Sequence, residues 1–167
     1  MQIYIYCANE APVAVILARY NTAKKFYKMF LWHTDTNKIE AGQWLTHKKI
    51  WANLCRLSDD GTRFQYFMAE FNPWNTYTVV SQPPYFTAIK IKKETGNGET
   101  DFVDSPATNP TMLKDPQILH GPDDLTNLKG KIMEFRDNIL LIDNQCIINF
   151  NDYTFENIVS PSNYPTS

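Results

Sequence analysis

Hydrophobic and polar positions alternate with a period of two along most of the chain, and turn-forming residues recur every eight to twelve positions. That rhythm predicts an all-β fold of short antiparallel strands. Ile3, Ile5 and Cys7 alternate with Tyr4 and Tyr6 in an opening strand, and Val13 to Tyr20 forms a second. In Lys25 to Thr34 both alternating sets are apolar: Phe26, Phe30 and Trp32 on one, Tyr27, Met29 and Leu31 on the other. Such a strand is expected to be central and covered on both faces. Asp35-Thr36-Asn37 then turns into Ile39 to Leu45, where Gly42 marks a bend.

Lys49 to Leu57 and Arg63 to Phe71 flank Ser58-Asp59-Asp60-Gly61, whose Asp-Gly pair is the strongest hairpin signal in the chain. Thr76 to Ser81 is a short strand stopped by Pro83-Pro84. In Tyr85 to Lys93, the residues Tyr85, Thr87, Ile89 and Ile91 take one face and Lys90 and Lys92 the other, the pattern of a strand with one wet side. Gly96-Asn97-Gly98 predicts a return into a short strand near Asp101 to Val103. Four prolines and no periodicity between Ser105 and Lys129 predict a long loop with one short helix near Asp123 to Lys129. Strands resume at Lys131 to Phe135, Ile139 to Ile142 and Gln145 to Phe150, with Asn144 in a turn. The reading is one domain over 1–161, with the Pro-rich loop at 105–129 and a flexible tail at 162–167. Its architecture is an antiparallel meander, as a twisted sheet or a two-sheet sandwich, with Trp32, Phe30, Phe64, Tyr66, Trp44 and Ile89 in the core.

Composition narrows the function classes. Of 167 residues, 43% are hydrophobic and 20% charged, which suits a packed core rather than a disordered chain. A net charge of -2 supplies no global basic field, so nucleic acid and membrane surfaces are not expected partners. The longest apolar run, Val13 to Ala18, is far too short to span a bilayer, and residues 1–6 lack the pattern of a signal peptide. Three widely separated cysteines, Cys7, Cys55 and Cys146, fit small buried residues in a reducing cytoplasm better than a disulfide or zinc framework.

Phosphate-binding, dinucleotide-binding, zinc-protease and serine-hydrolase motifs are absent. His33 and Asp35 share one face of a strand end and could hold a metal or act as base and orienter, though such pairs are usually solvated strand termini. The aspartates cluster in turns, where their side chains bond nearby N–H groups. Lys90, Lys92 and Lys93 read as a charged edge that resists sheet aggregation. Trp74, in Phe71-Asn72-Pro73-Trp74-Asn75, sits in a loop, where exposed aromatics commonly anchor partners.

One ordered series of motifs stands out: Ala11-Pro12-Val13-Ala14-Val15, Trp32-His33-Thr34, Gly42-Gln43-Trp44-Leu45, Leu57-Ser58-Asp59-Asp60-Gly61, Tyr66-Phe67, Ser81-Gln82-Pro83-Pro84-Tyr85-Phe86-Thr87-Ala88 and Asn149-Phe150-Asn151-Asp152-Tyr153-Thr154-Phe155-Glu156. The series resembles a family of small, chiefly bacterial proteins to which no activity is assigned. The likeness covers roughly residues 11–92 and 147–161. It departs at Asp59, where that family has proline, at Asn149, where it has aspartate, and at Glu94 to Ser105, which replaces a glycine-rich segment. The asparagine-rich composition suggests a viral or protist member, a large DNA virus being one such source. The Leu-Ser-x-Asp-Gly turn also looks like the blade turns of β-propellers, although this chain is too short for four blades.

The expected function is a non-enzymatic intracellular interaction module with a protein partner. Its expected binding residues are Trp74, Tyr85, Trp44 and Asp60, the last three of which lie in the motif series. No catalytic residue, metal or cofactor is expected. The alternatives are a hydrolase using turn carboxylates with His33 or His120, and a virion or assembly component that self-associates through sheet edges.

Overall fold

The computed structural model describes residues 1–21, 25–71, 73–94, 117–119, 124–128 and 130–153. Its strands are β1 (Gln2–Cys7), β2 (Val13–Asn21), β3 (Lys25–His33), β4 (Lys38–Thr46), β5 (Lys48–Ile50), β6 (Arg56–Leu57), β7 (Phe64–Glu70), β8 (Asn75–Ser81), β9 (Ala88–Glu94), β10 (Gln117–Leu119), β11 (Asp124–Leu128), β12 (Lys131–Arg136), β13 (Ile139–Ile142) and β14 (Gln145–Asn149). All pairings are antiparallel. They form three sheets: β10-β1-β2-β3-β4, β5-β7-β8-β9 with β6 also on β7, and β11-β12-β13-β14.

The first sheet is the middle layer of a stack. One of its faces, with Tyr6, Leu17, Tyr27, Met29 and Leu45, packs on Leu57, Phe64, Tyr66, Met68 and Val79 of the second sheet. The other, with Ile5, Ile16, Phe30 and Trp32, packs on Met133, Phe135, Leu140, Ile142 and Phe150 of the third sheet and the turn after it. This explains why β2 and β3 carry apolar residues on both faces: over most of these two strands each side of the middle sheet is covered by another layer. The all-β antiparallel expectation holds, with one layer more than a two-sheet sandwich. Trp32, Phe30, Phe64, Tyr66 and Trp44 are buried as expected.

Local sequence accounts for the corners. Asp137 and Asn138 have φ of 53° and 59°, and Asp143 and Asn144 have 50° and 66°, so the β12–β13 and β13–β14 hairpins turn through the left-handed region. His47, at φ 60°, lies where the chain passes from the middle to the second sheet.

Four expectations are corrected. Lys49 to Leu57 is not one strand: Trp51 and the single 3-10 turn Ala52–Leu54 break it into β5 and β6, both paired with β7. Residues 124–128 form strand β11 rather than a helix, because cross-strand pairing with β12 overrides a weak local pattern. The strand after the Pro-Pro corner begins at Ala88, not Tyr85. Ile89 is 54% exposed and does not join the core. It falls at the irregularity where pairing shifts between Val80 and Ser81. Ile91, two residues on and opposite buried Val79, is 49% exposed on this strand at the end of the sheet path. The position of β9 does match the reading of Lys90, Lys92 and Lys93 as a charged edge. The strand expected near Asp101 to Val103, the 105–116 part of the Pro-rich loop, His120 and the tail at 162–167 lie outside the described residues.

Candidate functional site

The second sheet turns its Gln65, Phe67 and Ala69 side away from the middle layer, since Phe64, Tyr66 and Met68 point inward. Lys49 pairs with Ala69 on this outer side, and Trp51 continues it, its N–H donating to the Phe67 carbonyl at 3.2 Å. The Trp51 ring lies 5.0 Å from Phe67 and meets Trp74 edge-on at 6.1 Å. Phe71 packs 5.5 Å from Trp74. Lys49 Nζ sits 4.7 Å above Trp51, a cation–π contact. Phe67 is buried beneath this cluster, whereas Phe71 and Trp74 are 49% and 57% exposed. Lys48 and Glu70, an ion pair at 2.9 Å, occupy the alternate positions and belong to the other side of the sheet.

The four residues expected to bind do not converge. Trp74 and Tyr85 are both half-exposed but lie at opposite ends of β8, roughly 20 Å apart for a strand of this length. Trp44 is fully buried and offers no surface; its ring packs 5.1 Å from Tyr20. Asp60 is committed to its own turn: Oδ1 accepts from Ser58 Oγ at 2.7 Å, Thr62 Oγ1 at 2.7 Å and the Thr62 N–H at 3.0 Å. Partial burial pushes its carboxyl up, but the bonds from Thr62 and Ser58 outweigh this and hold it below the usual carboxylate value. Sequence reasoning missed Trp51, Phe67 and Phe71 as companions of Trp74. The available signal was the Lys49-x-Trp51 spacing, which puts both residues on one face of an extended strand.

His33 pairs with Glu40 across the β3–β4 hairpin at 2.6 Å, rather than with Asp35. Among the described residues no three of His, Cys, Asp and Glu gather as metal ligands. A shallow cleft of about 440 Å³ lies between the β1–β2 and β3–β4 turns, with Glu10, Asp35 and Lys131 on its walls. Lys131 Nζ is bonded to Asn37 Oδ1 at 3.0 Å.

Part of the motif series has a structural meaning, because its segments at 11–13, 42–45, 57–61 and 81–88 meet at joints between the first and second sheets. Gln43 Oε1 accepts from the Phe86 N–H at 2.7 Å, the Thr87 N–H at 3.1 Å and Thr87 Oγ1 at 3.1 Å. The Gln43 N–H donates to the Pro84 carbonyl at 3.1 Å. Gly42 lies so close to Pro84 that a Cβ would stand 1.8 Å from its oxygen. At a second joint the Asp59 carbonyl accepts from the Glu10 N–H at 2.9 Å, and Asn9 Nδ2 donates to Asp59 Oδ1 at 2.8 Å. Gly61, at φ 75°, faces Val13 Cγ2 at 2.2 Å from where a Cβ would sit.

No family model matches the chain, and no curated protein or solved structure matches it. No helix among the described residues is long and apolar enough to cross a membrane.

Proposed function

We propose that this protein is a non-enzymatic interaction module that binds a protein partner through Trp74 and Phe71. The supporting observation is that two large aromatic rings stand half-exposed side by side on a hairpin, backed by Trp51 and Phe67. Rings fixed before binding lose little conformational freedom on docking, and tryptophan is over-represented among residues that dominate interface energy. Lys49, resting on Trp51, sets a polar rim beside them. Cys7, Cys55 and Cys146 form no disulfide, which suits work in a reducing compartment.

The test is a photo-crosslinking phenylalanine analogue placed at Trp74 in the native host, compared with the same group at exposed Lys38 on the edge of the middle sheet. The module reading expects a discrete protein adduct from position 74 alone. Equal adducts from both positions, or none from 74, would overturn it.

A second reading, as an assembly component, draws on β9, whose Ile89 and Ile91 are half-exposed at the end of its sheet path. It expects a concentration-dependent sedimentation coefficient that Ile91→Lys abolishes. Opposed Lys90, Lys92 and Lys93 would repel in a symmetric strand pair, so the Trp74 reading is preferred.

A further inference from the structure

Strand β9 offers a surface that neither the core nor the Trp74 cluster uses. It ends the path β5-β7-β8-β9, and among the described residues no strand pairs with its other edge. Its register on β8 is unbroken from Thr76 opposite Glu94 to Val80 opposite Lys90, so the irregularity before Ser81 leaves this stretch regular. Every residue from Ile89 to Lys93 is exposed. The edge at the other end of the path, β5, has only three residues. A regular, exposed edge presents a row of backbone N–H and C=O groups to which a further strand can pair.

The side chains give that edge a preference. Lys92 lies beside Thr78 on the outer side of the sheet, whereas Ile91 and Lys93 lie beside Val79 and Tyr77 on the inner side. Neither Lys92 nor Lys93 forms an ion pair among the described residues. The carboxylate next in sequence, Glu94, instead accepts from Thr78 Oγ1 at 2.9 Å. An edge shaped only to prevent pairing is short or wholly charged. This one also holds Ile89 and Ile91 half-exposed, and covering such aliphatic surface is favourable. A second copy of β9 would set lysine against lysine. We propose that β9 takes an acidic, extended segment of a partner protein as an added strand. The segment's backbone pairs with the free edge, its carboxylates face Lys92 and Lys93, and an apolar side chain lies beside Ile91. A nucleic acid would meet the same charges but has no use for the backbone edge or for Ile91.

The probe is a capped peptide of alternating glutamate and valine, titrated into the full chain and followed by amide hydrogen exchange. The expected result is binding that slows exchange across residues 89–94 and weakens as salt is raised. Lys92→Glu combined with Lys93→Glu changes only exposed positions, so the fold should persist while binding falls by roughly tenfold. The same variant should gain the matching lysine–valine peptide, which the native chain rejects. Four results would each overturn the proposal. They are no binding, slowed exchange confined to residues outside β9, equal binding of the two peptides by the native chain, and tighter binding of oligothymidylate than of the acidic peptide. If the double variant fails to fold, the native chain's choice between the two peptides decides.

Discussion

The Oε1 atom of Gln43 accepts the backbone N–H of Phe86 at 2.7 Å, joining the middle sheet to the corner that starts β9. The same oxygen serves Thr87 twice, so one side chain satisfies three donors. Gln43→Leu strands them, at a cost of about 2–4 kcal/mol. Gln43→Glu keeps an acceptor and should cost clearly less. Urea denaturation of both variants measures the difference.

Gly42 and Gly130 form a second comparison. A Cβ at Gly42 collides with the Pro84 carbonyl, whereas at Gly130, φ 74°, nothing lies within 4 Å. Gly130→Ala should cost only the left-handed backbone penalty, about 1–2 kcal/mol. Gly42→Ala should cost more than that, because backbone must move. Midpoints of denaturation in the same buffer would rank them.

Trp74→Ala removes a half-exposed ring and should change stability by less than about 1 kcal/mol, while abolishing partner crosslinking from the same photo-reactive group placed at neighbouring Phe71. Trp51→Ala takes away the ring between Phe67 and Trp74 and should lower stability further as well as binding. If Trp74→Ala unfolded the chain, the ring would be structural rather than a contact surface.

Stability should depend on pH in two opposite ways. Burial lowers Lys28 to about 8 from an ordinary 10.5, so the unfolded chain holds more protons between those values. Its cost to the fold is complete below pH 8 and fades as pH rises toward 10. Burial raises the Cys55 thiol to about 12 from an ordinary 9, and Tyr6, Tyr27 and Tyr66 above the ordinary 10, so their effect is the reverse. From pH 9 the unfolded chain loses the thiol proton first, and above pH 10 the phenol protons, and the fold weakens. Urea midpoints from pH 7 to 11 should rise and then drop steeply, and Lys28→Met should remove the rise alone.

The middle sheet was the most legible part of the chain. Two apolar sets in Lys25 to Thr34 state that both faces are covered, and Met29 and Phe30 lie in opposite cores. Ile89 misled because alternation does not show where pairing shifts, and this residue falls at the irregularity opposite Val80 and Ser81. Strand β11 was hidden because its partner, β12, supplies most of the apolar pattern. Trp44 and Trp74 look equivalent as letters; only the tertiary position of Lys28 above one and solvent above the other separates them. The motif series was visible, but its role as a set of joints required knowing which segments meet.

The order of layers along the chain sets a problem for synthesis. Residues 1–46 form the bulk of the middle sheet, 48–94 the second, and 124–149 the third, with 117–119 returning to the middle between them. A ribosome therefore releases a ribbon greasy on both sides before either cover exists, and the second cover comes last. During that interval Phe30, Trp32 and Ile16 have no mate, which makes the nascent N-terminal half a natural client for chaperones.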